Sequence, residues 1–262
     1  MTPEQRYLFD VRGYLHLKAV LNAEELEECR SATARYIDTP DDELPPGFEH
    51  KGWLHAHGFA FDKCLERLPL HPGIFPIVCE LTRYRPRLLR GSLIADHKRE
   101  PDSRLHCARE GYGWGSTRYA VRNGEILCDD LVVFPYFDDI NPGDGGLVVV
   151  PGSHKAEFPR PENLFYRDLV TDDLSEGVEN ITPKAGDVVI ISELLTHGTM
   201  PWKPTDRIRR CLVLRFTPQH YGSPDSVPEE IKTRLSPETL ELVQTTSYNH
   251  VKEIVKPFQE AA

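Results

Sequence analysis

The sequence predicts a mainly β fold with flanking α-helices, built on a jelly-roll or barrel core. Three observations carry that expectation. From residue 85 onward the chain becomes a series of short apolar runs: RLLRGSLIA (87–95), ILCDDLVVFPYF (126–137), GGLVVVPG (145–152), DVVIISEL (187–194) and RCLVLRFTP (210–218). Turn chemistry separates them, as in NPGDGG and PKAGD, where Gly, Pro, Asn and Asp favour chain reversal. The stretches before and after this region carry helix signals instead, and strands in a block between helices indicate a closed β core with helices packed outside. The chain of 262 residues, 39% hydrophobic, suits a single domain spanning 1–262. Its core is expected over about 85–218, with an N-terminal strand and helices over 8–84 and a C-terminal helical tail over 224–262.

The elements follow in order. GYLHLKAV (13–20) alternates and is bounded by Gly, so it reads as a strand. NAEELEECRSATARYI (22–37) opens with Asn22 as N-cap and Glu25 three residues on, a capping box, and Pro40 closes it. Residues 40–58 read as loop. PGIFPIVCELTRY (72–84) is a second helix, with Pro72 and Pro76 near its start, where a missing N–H costs least. SPETLELVQTTSYNHVKEIVKPF (236–258) reads as a helical tail packed outside the core. Internal repeats and low-complexity tracts are absent.

Composition excludes several classes. A formal net charge of −10 argues against general nucleic-acid binding. Stretches of eighteen or more apolar residues are missing, so a spanning helix is not expected. MTPEQRYLFD is not a signal peptide, and a cytoplasmic location is expected. Six cysteines at 29, 64, 79, 107, 128 and 211 form no CxxC pair, so they read as reduced, mostly buried thiols. Between Arg83 and Arg122, ten Lys or Arg stand against four acids. That stretch is either a solvated basic face or a place where an anionic substrate is handled.

The chemistry-bearing residues lie in the β-rich half. No GxGxxG after a strand, GxxxxGK[ST] or GxSxG motif occurs. His106 and His197 each stand near a strand end, His154 lies in PGSHK, and Arg207, Arg209 and Arg210 follow His197 by ten to thirteen residues. Taken singly, each histidine also reads as a structural or surface residue. Two imidazoles from separate strands plus one carboxylate, however, make the facial ligand set of non-haem iron oxygenases. That set leaves three positions open, two for a bidentate 2-oxo acid and one for O2. The far carboxylate of 2-oxoglutarate then needs a cation, and the planar guanidinium fork suits it. On a strand starting at 209, residues 209, 211 and 213 share one face and 210, 212 and 214 the other. Spacing alone does not choose the arginine.

FDVRGYLHLKAVLNAEEL, DINPGDGGLVVVPGSHK and GDVVIISELLTHGTMPWKPTDRIRRCLVLRF together resemble the phytanoyl-CoA dioxygenase family over roughly residues 8–218. The resemblance implies a double-stranded β-helix and an enzyme dependent on Fe(II) and 2-oxoglutarate that oxidises an aliphatic C–H bond of a small molecule with O2. It places the distal iron-binding histidine on His197 and the proximal one on His106. The arginine for 2-oxoglutarate falls on Arg209 first and Arg207 second, and Thr199 stands where a hydroxyl often assists the co-substrate. PGSHK is a structural turn in that family, so His154 reads as a non-ligand.

The departure is at residue 108. The family's first motif is His-x-Asp, and here it is His106-Cys107-Ala108. A methyl group cannot coordinate a metal. Chloride can fill the vacancy, as in the related iron halogenases with His-x-Ala or His-x-Gly, because losing a carboxylate leaves the metal site one unit more positive. Another acid can substitute, Glu110 and Asp130 being nearest in sequence. Water can complete the site. Finally, the chain can be a non-catalytic, cupin-like binding protein. The first alternative implies chlorination and the second hydroxylation. Trp114, Tyr119 and Tyr136 are candidate walls of a substrate pocket, and REGYGWGST (109–117) is a candidate lid.

Overall fold

The computed structural model describes residues 1–97, 105–110, 118–158, 160, 174–222 and 227–259. The block of strands between helices is present. A seven-stranded sheet contains, in spatial order, β1 (Tyr14–Leu17), β10 (Val188–Ser192), β7 (Leu131–Pro135), β12 (Arg209–Pro218), β4 (Pro86–Asp96), β3 (Leu54–His55) and β2 (His50–Lys51). A smaller sheet holds β11 (His197–Met200), β8 (Gly146–Val149) and β9 (Glu179–Asn180), and β5 (Tyr119–Arg122) pairs with β6 (Glu125–Cys128) as a hairpin. All the pairings are antiparallel.

The two faces of the large sheet have different jobs. On β12, Leu212, Leu214 and Phe216 join a core shared with the helices, while Cys211 and Val213 turn to a second core with Ile94, Val132, Tyr136, Leu147, Val149 and Ile191. That second core includes residues of the smaller sheet and is the interior of the double-stranded β-helix. Alternation along the strand therefore places Arg209 and Arg215 on the inner face and Arg210 on the helix side. Arg210 indeed bonds Asp138 and the carbonyl of Arg30, the latter in α2 (Ala23–Asp38).

The helix α2 carries the expected capping box, with Asn22 accepting from Glu25 N–H and Glu25 accepting from Asn22 N–H. The segment 72–84 forms the shorter helix α4 (Phe75–Leu81), and the run 126–137 is broken into β6 and β7 by Asp129 and Asp130. The N-terminal helix α1 (Pro3–Arg12) was not expected: Thr2 and Gln5 close a capping box on it and Gly13 ends it, but it buries only Phe9, so its apolar stripe is faint. Among its described residues the tail is helical over Glu229–Lys232, at α6 (Pro237–Val243) and at α7 (Lys256–Gln259), not continuously. Between α6 and α7 the chain is pinned by Lys252 instead. Its buried ammonium donates to the carbonyls of Pro86, Leu242 and Gln244 at 3.1, 2.9 and 3.0 Å. Lys252→Met keeps the stem and removes the donor from three carbonyls. It should lower stability by about 2–4 kcal/mol, read as a lower urea midpoint at unchanged m-value.

No helix among the described residues is long and apolar enough to cross a membrane. All six cysteines are free, and five of them are buried.

Candidate metal centre

The strand β10 ends at Ser192, a turn closed by Leu195 N–H to Ser192 C=O carries the chain from the large sheet to the small one, and β11 begins at His197. The corner reads ELLTH, residues 193–197. His106 lies beside β11, bridged to His197 by two backbone hydrogen bonds of 2.8 and 2.9 Å. The two imidazoles face each other with ring centroids 4.3 Å apart. Both histidines thus come together as the sequence anticipated.

The third member of the group is Glu193. One ligand atom each from His106, Glu193 and His197 lie within 4.8 Å of one another. Glu193 Oε2 is 3.7 Å from His197 Nε2. Donors on bonds of roughly 2.1 Å around one ion stand about 3–4 Å apart, so this pair already has the spacing of two ligands. Glu193 Oε2 is also buried without a hydrogen-bond partner, a costly state unless a cation faces it. His197 Nδ1 lies 2.7 Å from the carbonyl of Leu195. A carbonyl accepts only, so Nδ1 carries the proton and Nε2 keeps its lone pair toward Glu193. Burial pushes the His197 imidazole down against the pull of Glu193, which favours the neutral, ligating form. For Glu193, burial raises the carboxyl pKa, but the surrounding charge, which with His197 neutral comes from the Arg215 guanidinium, holds it below its usual range. The residues fit a divalent metal.

Glu193 is held from three sides. Its N–H donates to Asp130 C=O at 3.0 Å, its C=O accepts from Ala108 N–H at 2.8 Å, and its Oε1 accepts from Arg215. Arg215 also donates from its other terminal nitrogen to both oxygens of Asp130, at 3.2 and 3.0 Å. Burial pushes Asp130 up to about 7 despite Arg215. The backbone bond between Ala108 and Glu193 thus sets an acid next to the His-x-Ala motif. Asp130, named from sequence as a nearby acid, stands one strand further from the histidines and supports Arg215. Glu110 pairs with Arg160 at 3.0 Å and is not among the converging donors.

Arg209 is 2% exposed and bonded to Asp96, directly opposite it on β4. Gly146 makes room for it: a Cβ there would come within 3.0 Å of Arg209 Nη1, and its φ of +87° is one that side chains resist. The last glycine of GDGG is therefore part of the arginine's socket, while Gly145 before it packs against the Pro201 backbone. Arg207 is outside, paired with Asp144 and stacked near Trp202. Thr199 lies two residues beyond His197 on β11, opposite Leu147 and half-buried. Tyr136 is in the inner core and pairs with Cys211. Tyr119 points elsewhere, donating to Asp10 and packing edge-on against the buried His154. His154 is not part of the converging group. Trp114 and most of the candidate lid lie outside the described residues.

Comparison with known proteins agrees with this fold. The family model "Phytanoyl-CoA dioxygenase (PhyH)" matches residues 9–211. The chain is 23% identical over 227 residues to a probable phytanoyl-CoA dioxygenase of Caenorhabditis elegans, covering 76% of this chain and 70% of that one. It is 23% identical over 248 residues to the peroxisomal phytanoyl-CoA dioxygenase of Mus musculus, covering 86% and 69%. Among solved structures, HygX from Streptomyces hygroscopicus with nickel and 2-oxoglutarate bound is 27% identical, with a TM-score of 0.68 over 83% of this chain and 87% of that one. The epimerase SnoN, 18% identical at a TM-score of 0.59 with 83% of each chain covered, shares the fold. A β-helix that brings two histidines together beside an inward arginine defines a non-haem metal oxygenase. The chain belongs to the phytanoyl-CoA dioxygenase family, and it is an enzyme of the Fe(II)/2-oxoglutarate-dependent oxygenase superfamily.

Proposed function

We propose that this enzyme hydroxylates, or otherwise oxidises without halogen transfer, an aliphatic C–H bond of a small molecule, using iron bound by His106, Glu193 and His197. The observation that carries this reading is the Glu193 carboxylate, whose Oε2 is buried, unpartnered and 3.7 Å from His197 Nε2. Chlorination requires chloride in the position left by the missing acid of His-x-Asp. A carboxylate already standing there supplies the negative charge that chloride would otherwise bring.

Iron held by His106, Glu193 and His197 would supply the chemistry that links oxidative decarboxylation of 2-oxoglutarate to oxidation of an unactivated carbon. The chain's own contribution is placement. His197 presents Nε2 because Leu195 C=O holds the proton on Nδ1. Arg209 serves the far carboxylate of 2-oxoglutarate at the inner end of β12, in the socket beside Gly146, and Thr199 adds a hydroxyl on the face of β11 shared with His197. Tyr136 contributes to the apolar interior next to them. HygX is described in complex with hygromycin B and SnoN with nogalamycin RO. Those ligands support a small molecule as the substrate class here.

The test is anaerobic titration with Fe(II) and 2-oxoglutarate, then exposure to O2 with succinate quantified, at zero and high chloride. Iron-dependent succinate formation and a 2-oxoglutarate affinity indifferent to chloride are expected. Tightening of 2-oxoglutarate by chloride would restore the halogenase reading, and absence of metal binding would return the chain to a binding protein.

A further inference from the structure

We propose that Arg215, anchored by Asp130, is a positioning residue that keeps Glu193 a one-oxygen ligand, so that the metal retains three open positions. The inference rests on Glu193 as a ligand, as proposed above. It addresses a problem that substitution of an acid creates. Glutamate is one methylene longer than the aspartate of His-x-Asp and has one more rotatable bond, so it samples more orientations. A carboxylate that turns both oxygens to the ion occupies two positions. With two histidines, that leaves only two for a bidentate 2-oxo acid and O2, which need three.

The geometry opposes that turn. Arg215 holds Oε1 while Oε2 alone faces His197. Presenting both oxygens to the metal would break a charge-assisted hydrogen bond. Arg215 is not free to follow, because its other terminal nitrogen is fixed by both oxygens of Asp130. Its backbone sits in the middle of the sheet, opposite Arg90 of β4 and Val132 of β7. Asp130 and Glu193 are themselves tied, by the N–H of Glu193 to the carbonyl of Asp130. The end of β10, the start of β7 and the interior of β12, three neighbouring strands of one sheet, therefore set the orientation of one carboxylate. The Arg215 and Glu193 side chains are 18% and 5% exposed, so water competes poorly for Oε1.

The test uses cobalt(II), whose visible spectrum reports coordination number, with 2-oxoglutarate and azide as a small-anion probe of the last open position. The double variant Arg215→Met/Asp130→Asn removes one positive and one negative charge. The formal net charge is thus unchanged, and neither partner is left buried without the other. Cobalt should still bind the double variant. Its spectrum in the cobalt–2-oxoglutarate complex should change, and azide should bind about 10–100-fold more weakly, the range for loss of an outer partner at a metal site. A spectrum and azide affinity equal to those of the unmodified enzyme would overturn the proposal. So would complete loss of cobalt from a folded variant. If the double variant does not fold, Asp130→Asn alone, which leaves Arg215 on Glu193 but unanchors it, carries the same readouts: weakened azide binding supports the clamp and unchanged binding overturns it. The ligand assignment fails separately. Glu193→Gln with unaltered cobalt affinity would refute Glu193 as a ligand, whereas failure of the clamp leaves that loss intact.

Discussion

Glu193→Gln is expected to cost the enzyme its iron and its succinate production, while leaving the fold in place. Gln keeps the volume and can still accept from Arg215 through its amide oxygen, and Arg215 keeps its two bonds to Asp130. No buried charge is left without a partner by the change. What disappears is the anionic oxygen 3.7 Å from His197 Nε2. Loss of a direct ligand should exceed the roughly 10–100-fold in metal affinity that loss of an outer partner costs. Metal affinity is read by titration, with circular dichroism and the urea midpoint as controls for folding. Glu193→Ala adds a sharper version. It leaves a cavity the size of a small carboxylate beside His-x-Ala, so formate should restore part of the iron binding, and chloride should now affect 2-oxoglutarate binding where it does not in the parent enzyme. Full iron occupancy in Glu193→Gln would sink the three-ligand reading. Glu110→Gln, by contrast, disturbs only the exposed pair with Arg160 and should leave iron untouched.

Why the sequence pointed to Glu110 and Asp130 before Glu193 has a physical explanation. Proximity to Ala108 along the chain was the only measure available, and Glu193 is brought to Ala108 by a hydrogen bond between segments 85 residues apart. A signal was present: an acid four residues before the distal histidine, in ELLTH. Its meaning depends on a turn that carries the chain from one sheet to the other, and a turn of that kind cannot be distinguished by composition from an ordinary loop. The histidines were legible because each stands at a strand end in a recognisable motif. The strands were legible because apolar runs bounded by Gly, Pro and Asp have few other uses. The helix α1 was not, although Thr2, Pro3, Gln5 and Gly13 mark both its ends, because one buried residue makes almost no stripe. The choice among Arg207, Arg209 and Arg210 needed the register of β12 on β4. Alternation gave two faces, and only the packing of Leu212 and Leu214 toward the helices identified which one looks inward.

Arg209 gives the second large effect, and Asp96 complicates its measurement in a useful way. The pair is buried, with side-chain exposures of 2% and 0%. Arg209→Ala removes the cation proposed for 2-oxoglutarate and also takes from the buried Asp96 the guanidinium bonded to it. Breaking such a pair from one side costs about 3–5 kcal/mol of stability, so weak 2-oxoglutarate binding in the single variant has two causes. The double variant Arg209→Ala/Asp96→Asn separates them, since a neutral amide no longer demands the cation. Its urea midpoint should recover most of what the single variant loses. Its 2-oxoglutarate affinity, measured on the cobalt-loaded protein, should stay about 100-fold or more below that of the parent, as expected when a buried carboxylate loses its charged partner. The guanidinium can serve both acids because its fork has five donors: Asp96 takes Nη2, while Nε has no partner and Nη1 lies over Gly146. Arg207→Ala should change the affinity by less than about threefold, because an exposed pair such as Arg207–Asp144 contributes little. Recovery of 2-oxoglutarate binding together with stability in the double variant would mean that Arg209 only neutralises Asp96. The co-substrate's far carboxylate would then have to be held elsewhere, and a large loss in Arg207→Ala would identify the place.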